Sequence, residues 1–248
     1  MDQPRHRAKD RHSAPAGAPT PTGNLLLAGL PSGERQRIIA RCEPVQLELG
    51  EVLYEIGGRV RHVYFPTSSF ISLISSTDRN SRLEVGLVGT EGMLGVSVML
   101  GLETATLEAL VQGAGTALRM SAAHFSLELK RSPVLVKLLN RYLHVLMSQL
   151  SQMAACTRFH IVEERLARWL LMTRDRAHSN EFRLTQEFIA FMLGVRRAGI
   201  TRAATALQKR KLIRYTRGNV TILNGRGLEA ASCACYAAAT QVYTQSMQ

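Results

Sequence analysis

The chain has 248 residues, of which 46% are hydrophobic, and its formal net charge is +12. That length and composition support two domains of ordinary size, each with its own core. They exclude a membrane-spanning protein and a disulfide-stapled scaffold, because no run approaches the roughly 18 apolar residues of a span and the four cysteines form no framework. The N-terminus also lacks the apolar core of a secretion signal, so we expect a cytoplasmic protein without a membrane partner.

The positive charge is concentrated in one part of the chain. Residues 157–217 contain 14 Lys and Arg against 5 Asp and Glu, which places +9 of the +12 in about a quarter of the sequence. Charge gathered in this way indicates a polyanionic partner, either a nucleic acid or a membrane surface.

The first half of the chain predicts a tail followed by a β domain. Residues 1–22 are rich in Pro, Ala, Arg and His, which predicts a disordered tail. A short helical stretch follows over 24–42, with a second helix starting at Pro31 and Ser32. Between 45 and 120, short β-prone runs alternate with glycines, as in an antiparallel barrel or roll. We assign 23–131 to this sensor domain.

The next segment, 132–158, predicts one long helix for dimerisation. Its apolar residues follow spacings of three and four over nearly three heptads: Val136, Leu139, Leu143, Leu146, Leu150 and Met153. The same helix has a second apolar face, so one face can pack on the β domain while the other pairs with a partner. The alternative is that both faces lie in one monomeric core.

Residues 159–248 predict a winged helix-turn-helix domain. After an amphipathic helix over 161–177 comes LTQEFIAFMLGVRRAGITRAATAL (184–207), in which Thr185 suits an N-cap. Ala190, Gly194 and Ile200 supply the small residue, the turn glycine and the aliphatic plug that closely packed helices need. The second helix is expected over 196–209, and LIRYTRGNVTIL (212–223) reads as a hairpin turning at 217–219.

Cationic side chains of this domain are the candidate DNA contacts. Arg197, Thr201 and Arg202 lie on the free face of the second helix, where Arg can read guanine edges and Thr can contact a phosphate or a thymine methyl. Arg196 is the alternative base reader, and Arg214 and Arg217 would meet phosphates from the hairpin. The competing interpretation is an ordinary helical hairpin with a solvated cationic face.

At this point the sequence resembles regulators of the Crp/Fnr family over residues 24–245. The most specific parts are LTQEFIAFMLGVRRAGITRA, the wing LIRYTRGNVTIL and VEERLARWLL (162–171). The resemblance implies an α+β homodimer with a cyclic-nucleotide-binding-like roll, a long dimer helix and a winged helix-turn-helix. It puts Arg197 and Arg202 at the family's two arginine positions and Thr185 and Gln186 at backbone-contact positions. Ala198 replaces the glutamate that often follows the first arginine.

The sensor departs from the nucleotide-binding members of that family. Residues 95–111 contain no Arg or Lys, and a phosphodiester buried without a cation would be costly. Residues 1–41 contain no cysteine for an iron–sulfur cluster. We therefore expect neither cyclic AMP nor a cofactor, and an effector of unknown identity.

The spacing of cysteines and histidines in the sequence does not predict a metal site. Cys233 and Cys235 could bind a soft metal or sense oxidants, but two ligands alone rarely make a site. Cys156 is isolated in the sequence, and His160 is interpreted as a helix-surface or core-edge residue. No nucleophile–base pair appears, so no enzyme is expected.

The sequence predicts a transcription regulator with double-stranded DNA and RNA polymerase as partners. The alternative is a ligand-sensing or scaffold protein whose basic domain contacts RNA or acidic protein.

Overall fold

A computed structural model describes residues 23–78 and 81–247, so the predicted tail over 1–22 lies outside the described residues. The described chain combines helices with antiparallel sheets, which confirms the predicted α+β class. Across those two ranges, no helix has the length and apolarity needed to cross a membrane.

The first half forms the predicted antiparallel β-roll. Helices α1 (Leu25–Ala28) and α2 (Ser32–Ile39) lead into it. Its strands are β1 (Glu43–Leu47), β2 (Val52–Tyr54), β3 (His62–Pro66), β4 (Phe70–Asp78), β5 (Ser81–Val88), β6 (Glu108–Gly113) and β7 (Gly115–Ser121). They pair in the orders β1-β7-β3 and β2-β6-β4-β5, with every pair antiparallel. A 3-10 helix, Val96–Leu100, joins β5 to β6.

Helices dominate the second half, as the change of period predicts. The elements are α3 (Ala122–Arg131), α4 (Pro133–Phe159), α5 (Val162–Ala177), β8 (Glu181–Arg183), α6 (Gln186–Leu193), α7 (Arg197–Lys209), β9 (Ile213–Thr216), β10 (Asn219–Ile222), α8 (Gly225–Ala231) and α9 (Cys235–Met247). Ser132 begins α4 by accepting a hydrogen bond from the Leu135 amide at 3.0 Å, with Pro133 in the first turn, where its missing N–H costs nothing.

Helix α4 has two apolar faces, but the outward face does not consist of the residues predicted for the dimer contact. Leu139 and Met153 are buried within the chain, and Leu146 packs against the core of the roll, so these three predicted interface positions are corrected. Their side chains follow the face occupied by Leu135, Leu138, Tyr142 and Val145. The outward face instead carries Val136, Leu143, Met147, Leu150 and Ala154. Val136, Leu143 and Leu150 belong to both the predicted and the observed stripe. Met147 and Ala154 face outward in place of Leu146 and Met153, each one residue further along the helix.

The roll contacts the C-terminal helices through Glu84 and Glu91 on its side and Trp169, Arg176 and Tyr243 on theirs. We call this contact the roll interface. Trp169 on α5 donates its indole N–H to Glu84 Oε1 on β5 at 2.9 Å. Arg176, near the end of α5, pairs with Glu91 at 2.6 Å. Helix α9 lies along α4, and the Tyr243 hydroxyl donates to the Glu91 carbonyl at 3.0 Å. These contacts place the helix-turn-helix domain beside the roll.

Candidate DNA-binding surface

The first helix of the pair begins and ends as its sequence predicts. The Thr185 hydroxyl caps α6 by accepting from the Phe188 amide at 3.1 Å. Gly194 ends the helix in the left-handed region, with φ of 61°. Glycine suits this position because the turn needs a positive φ. A Cβ would also lie 2.9 Å from Leu83 Cδ1 on β5, so that side chain would have to shift.

The second helix, α7, is held by a small apolar core. Ile200 and Leu207 are fully buried, and Ala203 and Ala204 allow close contact with α5 and α6. This burial confirms the plug role predicted for Ile200. The opposite side of α7, which includes Arg197, Thr201, Arg202 and Thr205, is exposed.

Strands β8, β10 and β9 form the wing, in that order. Arg217 and Gly218 make its tip with φ of 50° and 82°, the two positive values of a type I′ hairpin turn. Asn219 already pairs with Thr216, so the predicted three-residue turn shortens to two residues. Tyr215 ties the wing to the segment just before α6, because its hydroxyl donates to the Leu184 carbonyl at 2.7 Å. Burial raises the pKa of Tyr215 to about 12, against the opposing charge of Arg197.

A depression of about 460 Å³ lies between the start of α6, the start of α7 and the wing tip. Its lining residues are Thr185, Gln186, Glu187, Arg197, Tyr215, Arg217 and Gly218. The Thr201 hydroxyl donates to Gln186 Oε1 at 2.7 Å and so ties α7 to α6 beside this depression. We call the depression and the exposed face of α7 the recognition surface.

The arginines predicted to contact DNA are available to a ligand. Arg196, Arg197, Arg202, Arg214 and Arg217 are all exposed. Within the described part of the chain, the ion pairs of arginine involve other positions, such as Arg210 with Glu163 at 3.1 Å. None of the five forms such an ion pair with a described residue. Arg197, Arg202 and Arg217 outnumber Glu187, the one described carboxylate that lines the depression, so the recognition surface is net positive.

Comparison with known proteins gives both the domain and the fold. The model of the Crp-like helix-turn-helix domain matches residues 164–231. The protein carries a Crp-like helix-turn-helix on the Crp/Fnr fold. No curated protein is similar to the chain in sequence at a significant level.

Three solved structures illustrate the likeness in fold. A protein assigned to the Crp/Fnr transcriptional regulators from Eubacterium rectale superposes with a TM-score of 0.67 at 18% identity, over 84% of this chain and 98% of that one. FixK2 from Bradyrhizobium japonicum gives 0.64 at 14% identity, over 78% and 98%. A Crp/Fnr-family regulator from Thermus thermophilus gives 0.64 at 19% identity, over 77% and 98%.

The Crp-like domain brings together some of the predicted contact residues and separates others. Thr185, Gln186, Arg197 and Arg217 line the same depression, and Thr201 joins them through its hydrogen bond. Arg202 lies further along the exposed face of α7. Arg196 is absent from that depression and lines a neighbouring groove of about 690 Å³ between α6 and β5, which Arg197 also borders. Arg214 neighbours the lining residue Tyr215 on a strand, so its side chain leaves the opposite face of the wing.

Sequence reasoning missed a cluster in this half of the molecule. Cys156, His160, Cys233 and Cys235 converge at the junction of α4, α5 and the α8–α9 connection. The available signals were the C-x-C pair and the spacing of four between Cys156 and His160 near the end of a helix, which places both on one side. Each pair alone is too weak to predict a site, and only the fold shows that they meet.

Proposed function

We propose that the protein is a homodimeric transcription regulator that binds a palindromic DNA operator through the recognition surface and has no catalytic role. The observation that carries this proposal is the set of exposed, unneutralised arginines around the depression of a Crp-like domain. In a helix-turn-helix the N-terminal end of the second helix enters the major groove. Arg197, the first residue of α7, is at that end, and Arg202 follows it along the exposed face.

The other groups of the surface suit phosphate contacts. Arg217 stands at the wing tip and lines the depression together with Arg197 at the start of α7. Thr185 and Gln186 lie at the start of α6, where free amide groups of the helix terminus favour an anion. Contacts of this kind position a protein on the duplex without reading sequence, whereas Arg197 and Arg202 would do the reading.

Helix α4 supplies the proposed dimer contact. Met147 is 60% exposed and Leu150 is 45% exposed, although both continue the apolar stripe of Val136 and Leu143. Such a stripe is the seam of a two-stranded coiled coil. Asn140 interrupts it at a position where one polar residue sets the register of paired helices.

The interior of the roll argues against cyclic AMP as the effector. Its cavity is only about 110 Å³, below the several hundred Å³ of most small-molecule sites. The described residues around it, including Tyr54, Leu73, Val96 and Leu107, provide no cation for a phosphate. An effector for this cavity would be small and largely apolar.

Selection of bound sequences from random duplexes, using the full chain, tests the proposed function. We expect a palindromic consensus whose half-sites are centred about one helical turn, or a multiple of it, apart. Binding should fall steeply with salt and should not respond to cyclic AMP. Equal affinity for any duplex and for single-stranded RNA of the same length would overturn the proposal in favour of a general polyanion-binding protein.

A further inference from the structure

Four side chains with soft or nitrogen donor atoms meet where three segments of the chain converge. Cys156 lies in the last turn of α4, and His160 follows that helix directly. Cys233 and Cys235 lie between α8 and the start of α9. The three cysteines are buried and the histidine is half-buried. One donor atom from each residue lies within 4.8 Å of all the others.

The distances inside this cluster fit a tetrahedral metal site. Cys156 Sγ and Cys233 Sγ are 3.6 Å apart, and Cys235 Sγ and His160 Nδ1 are 3.5 Å apart. Zinc bonds of about 2.3 Å to sulfur and 2.0 to 2.1 Å to nitrogen imply edges of about 3.8 Å between sulfurs and 3.6 Å between sulfur and nitrogen. Small side-chain rotations would therefore bring all four atoms onto one ion.

Two buried arginines beside the cluster form no ion pair with a carboxylate among the described residues. Arg165 and Arg168 are nearly inaccessible, and neither belongs to an ion pair of the described chain. The Nε atoms of both are buried without a hydrogen-bond partner. Arg165 donates to the Leu193 carbonyl. Arg168 donates to the sulfur atoms of Met153 and Met172, which are weak acceptors.

Buried cations need negative charge nearby, and the cysteines are placed to supply it. Arg165 interacts electrostatically with Cys156 and Cys233, and Arg168 interacts with Cys156. Three thiolates exceed the charge of a divalent ion by one negative charge. A metal centre of this composition would leave that excess charge facing the two guanidinium groups.

We propose that Cys156, His160, Cys233 and Cys235 bind one zinc-class divalent metal ion, which fastens the α4–α5 junction to the connection before α9. The ion would join the end of the proposed dimer helix to the segment that follows α8, at the end of the Crp-like domain. It would also anchor α9, which packs back along α4. This site is independent of DNA binding, since none of its four ligands belongs to the recognition surface.

Cobalt titration of the whole protein tests the site directly. The full chain is purified under reducing conditions, stripped of metal and titrated with Co²⁺. We expect one equivalent per chain to give thiolate-to-cobalt charge-transfer bands and the intense visible bands of tetrahedral Co²⁺, and Zn²⁺ to abolish both. A spectrum indistinguishable from aqueous Co²⁺ would overturn the proposal.

Ligand variants separate this site from adventitious binding. Cys235→Ser and His160→Ala should each lower Zn²⁺ affinity at least tenfold, as the loss of a ligand does, while Cys42→Ser is the matched control outside the cluster. Unchanged affinity in both ligand variants would exclude the four-ligand site. So would denaturing mass spectrometry of the purified chain that finds a Cys156–Cys233 disulfide and no metal uptake after reduction. Metal binding without operator binding would refute the proposed function while supporting this site.

Discussion

The recognition surface and the roll interface both use arginine, but in opposite environments. Arg197, Arg202 and Arg217 are exposed and have no carboxylate partner among the described residues. At the roll interface Arg176 is largely buried and paired with Glu91, and Trp169 donates to the buried Glu84. Exposed cations can exchange water for phosphate at little cost, whereas buried polar groups must already be satisfied. Changes on the recognition surface should therefore alter DNA binding, and changes inside should alter stability.

Exposed and buried residues also differ in role along α4, where a substitution on the exposed apolar face should change dimerisation. This is the largest effect that we predict. Leu150→Asp would place one carboxylate from each subunit in the proposed dimer contact, and burying an ion costs several kcal/mol. The association constant should then fall by more than about 100-fold. Sedimentation velocity over a range of concentrations measures the change.

Leu127→Asp on α3 is the matched control, because Leu127 and Leu150 are each 45% exposed. It should leave the dimer intact. A Leu150→Asp protein that sediments as a folded dimer would remove the outward face of α4 from the interface.

The second prediction concerns Glu84, the buried carboxyl of the roll interface. Burial raises its pKa to about 7 from an ordinary 4.5, and the hydrogen bonds from Ser72 and Trp169 and the charges of Arg168 and Arg176 only partly oppose this. Between those two values the folded chain holds a proton that the unfolded chain has released. Stability should therefore fall as the pH rises from about 4.5 to 7.

Glu84→Gln should remove that pH dependence. A Gln amide can accept from Trp169 and donate to Ser72, which in turn donates to Gln112, as a protonated Glu84 would. Above pH 7 the variant should be more stable than the native chain by on the order of 3 kcal/mol. Urea unfolding across pH 5 to 8 measures the difference, with the exposed Glu103→Gln as control. Parallel curves for native and Glu84→Gln protein would show that Glu84 does not titrate in this range.

Local patterns explain why the recognition surface is predictable from sequence. The cap at Thr185, the left-handed Gly194 and the plug Ile200 depend on residues within a few turns of one another. Each has a specific backbone or packing requirement that only a few residue types meet. The wing was predicted for the same reason, apart from one residue of its turn.

Features that depend on tertiary contacts were not predictable in this way. Both registers of α4 have apolar residues at spacings of three and four, and only the position of the roll decides that Leu139 turns inward and Met147 outward. The sequence around Glu84 does not predict its burial, because its partner Trp169 lies 85 residues away. Cys156 and Cys233 are 77 residues apart and meet only because α9 returns along α4.

The third prediction tests base reading on the recognition surface. Arg197→Ala should weaken operator binding by about 1–3 kcal/mol and relax preference at one symmetric position in each half-site, because a guanine edge loses its two-pronged donor. Affinity for operator and for scrambled duplex is measured for both proteins. Arg59→Ala removes the same charge from the roll and should change neither affinity nor preference. Equal weakening on both duplexes would make Arg197 a phosphate contact and pass the reading role to Arg202 or Arg196.

The smallest effect is expected from Arg217, at the tip of the wing. Alanine retains the Cβ, so Arg217→Ala keeps the backbone conformation at φ of 50° about as favourable as before and removes only the charge. A phosphate contact carries no sequence information. Without it, DNA binding releases about one fewer counterion per subunit. The variant should therefore bind operator and scrambled duplex more weakly by the same factor, and its slope of log affinity against log salt should be shallower by about one per subunit. A salt series on both duplexes measures this. An unchanged slope would place the wing tip away from the DNA, and a loss confined to operator would give Arg217 a part in reading sequence.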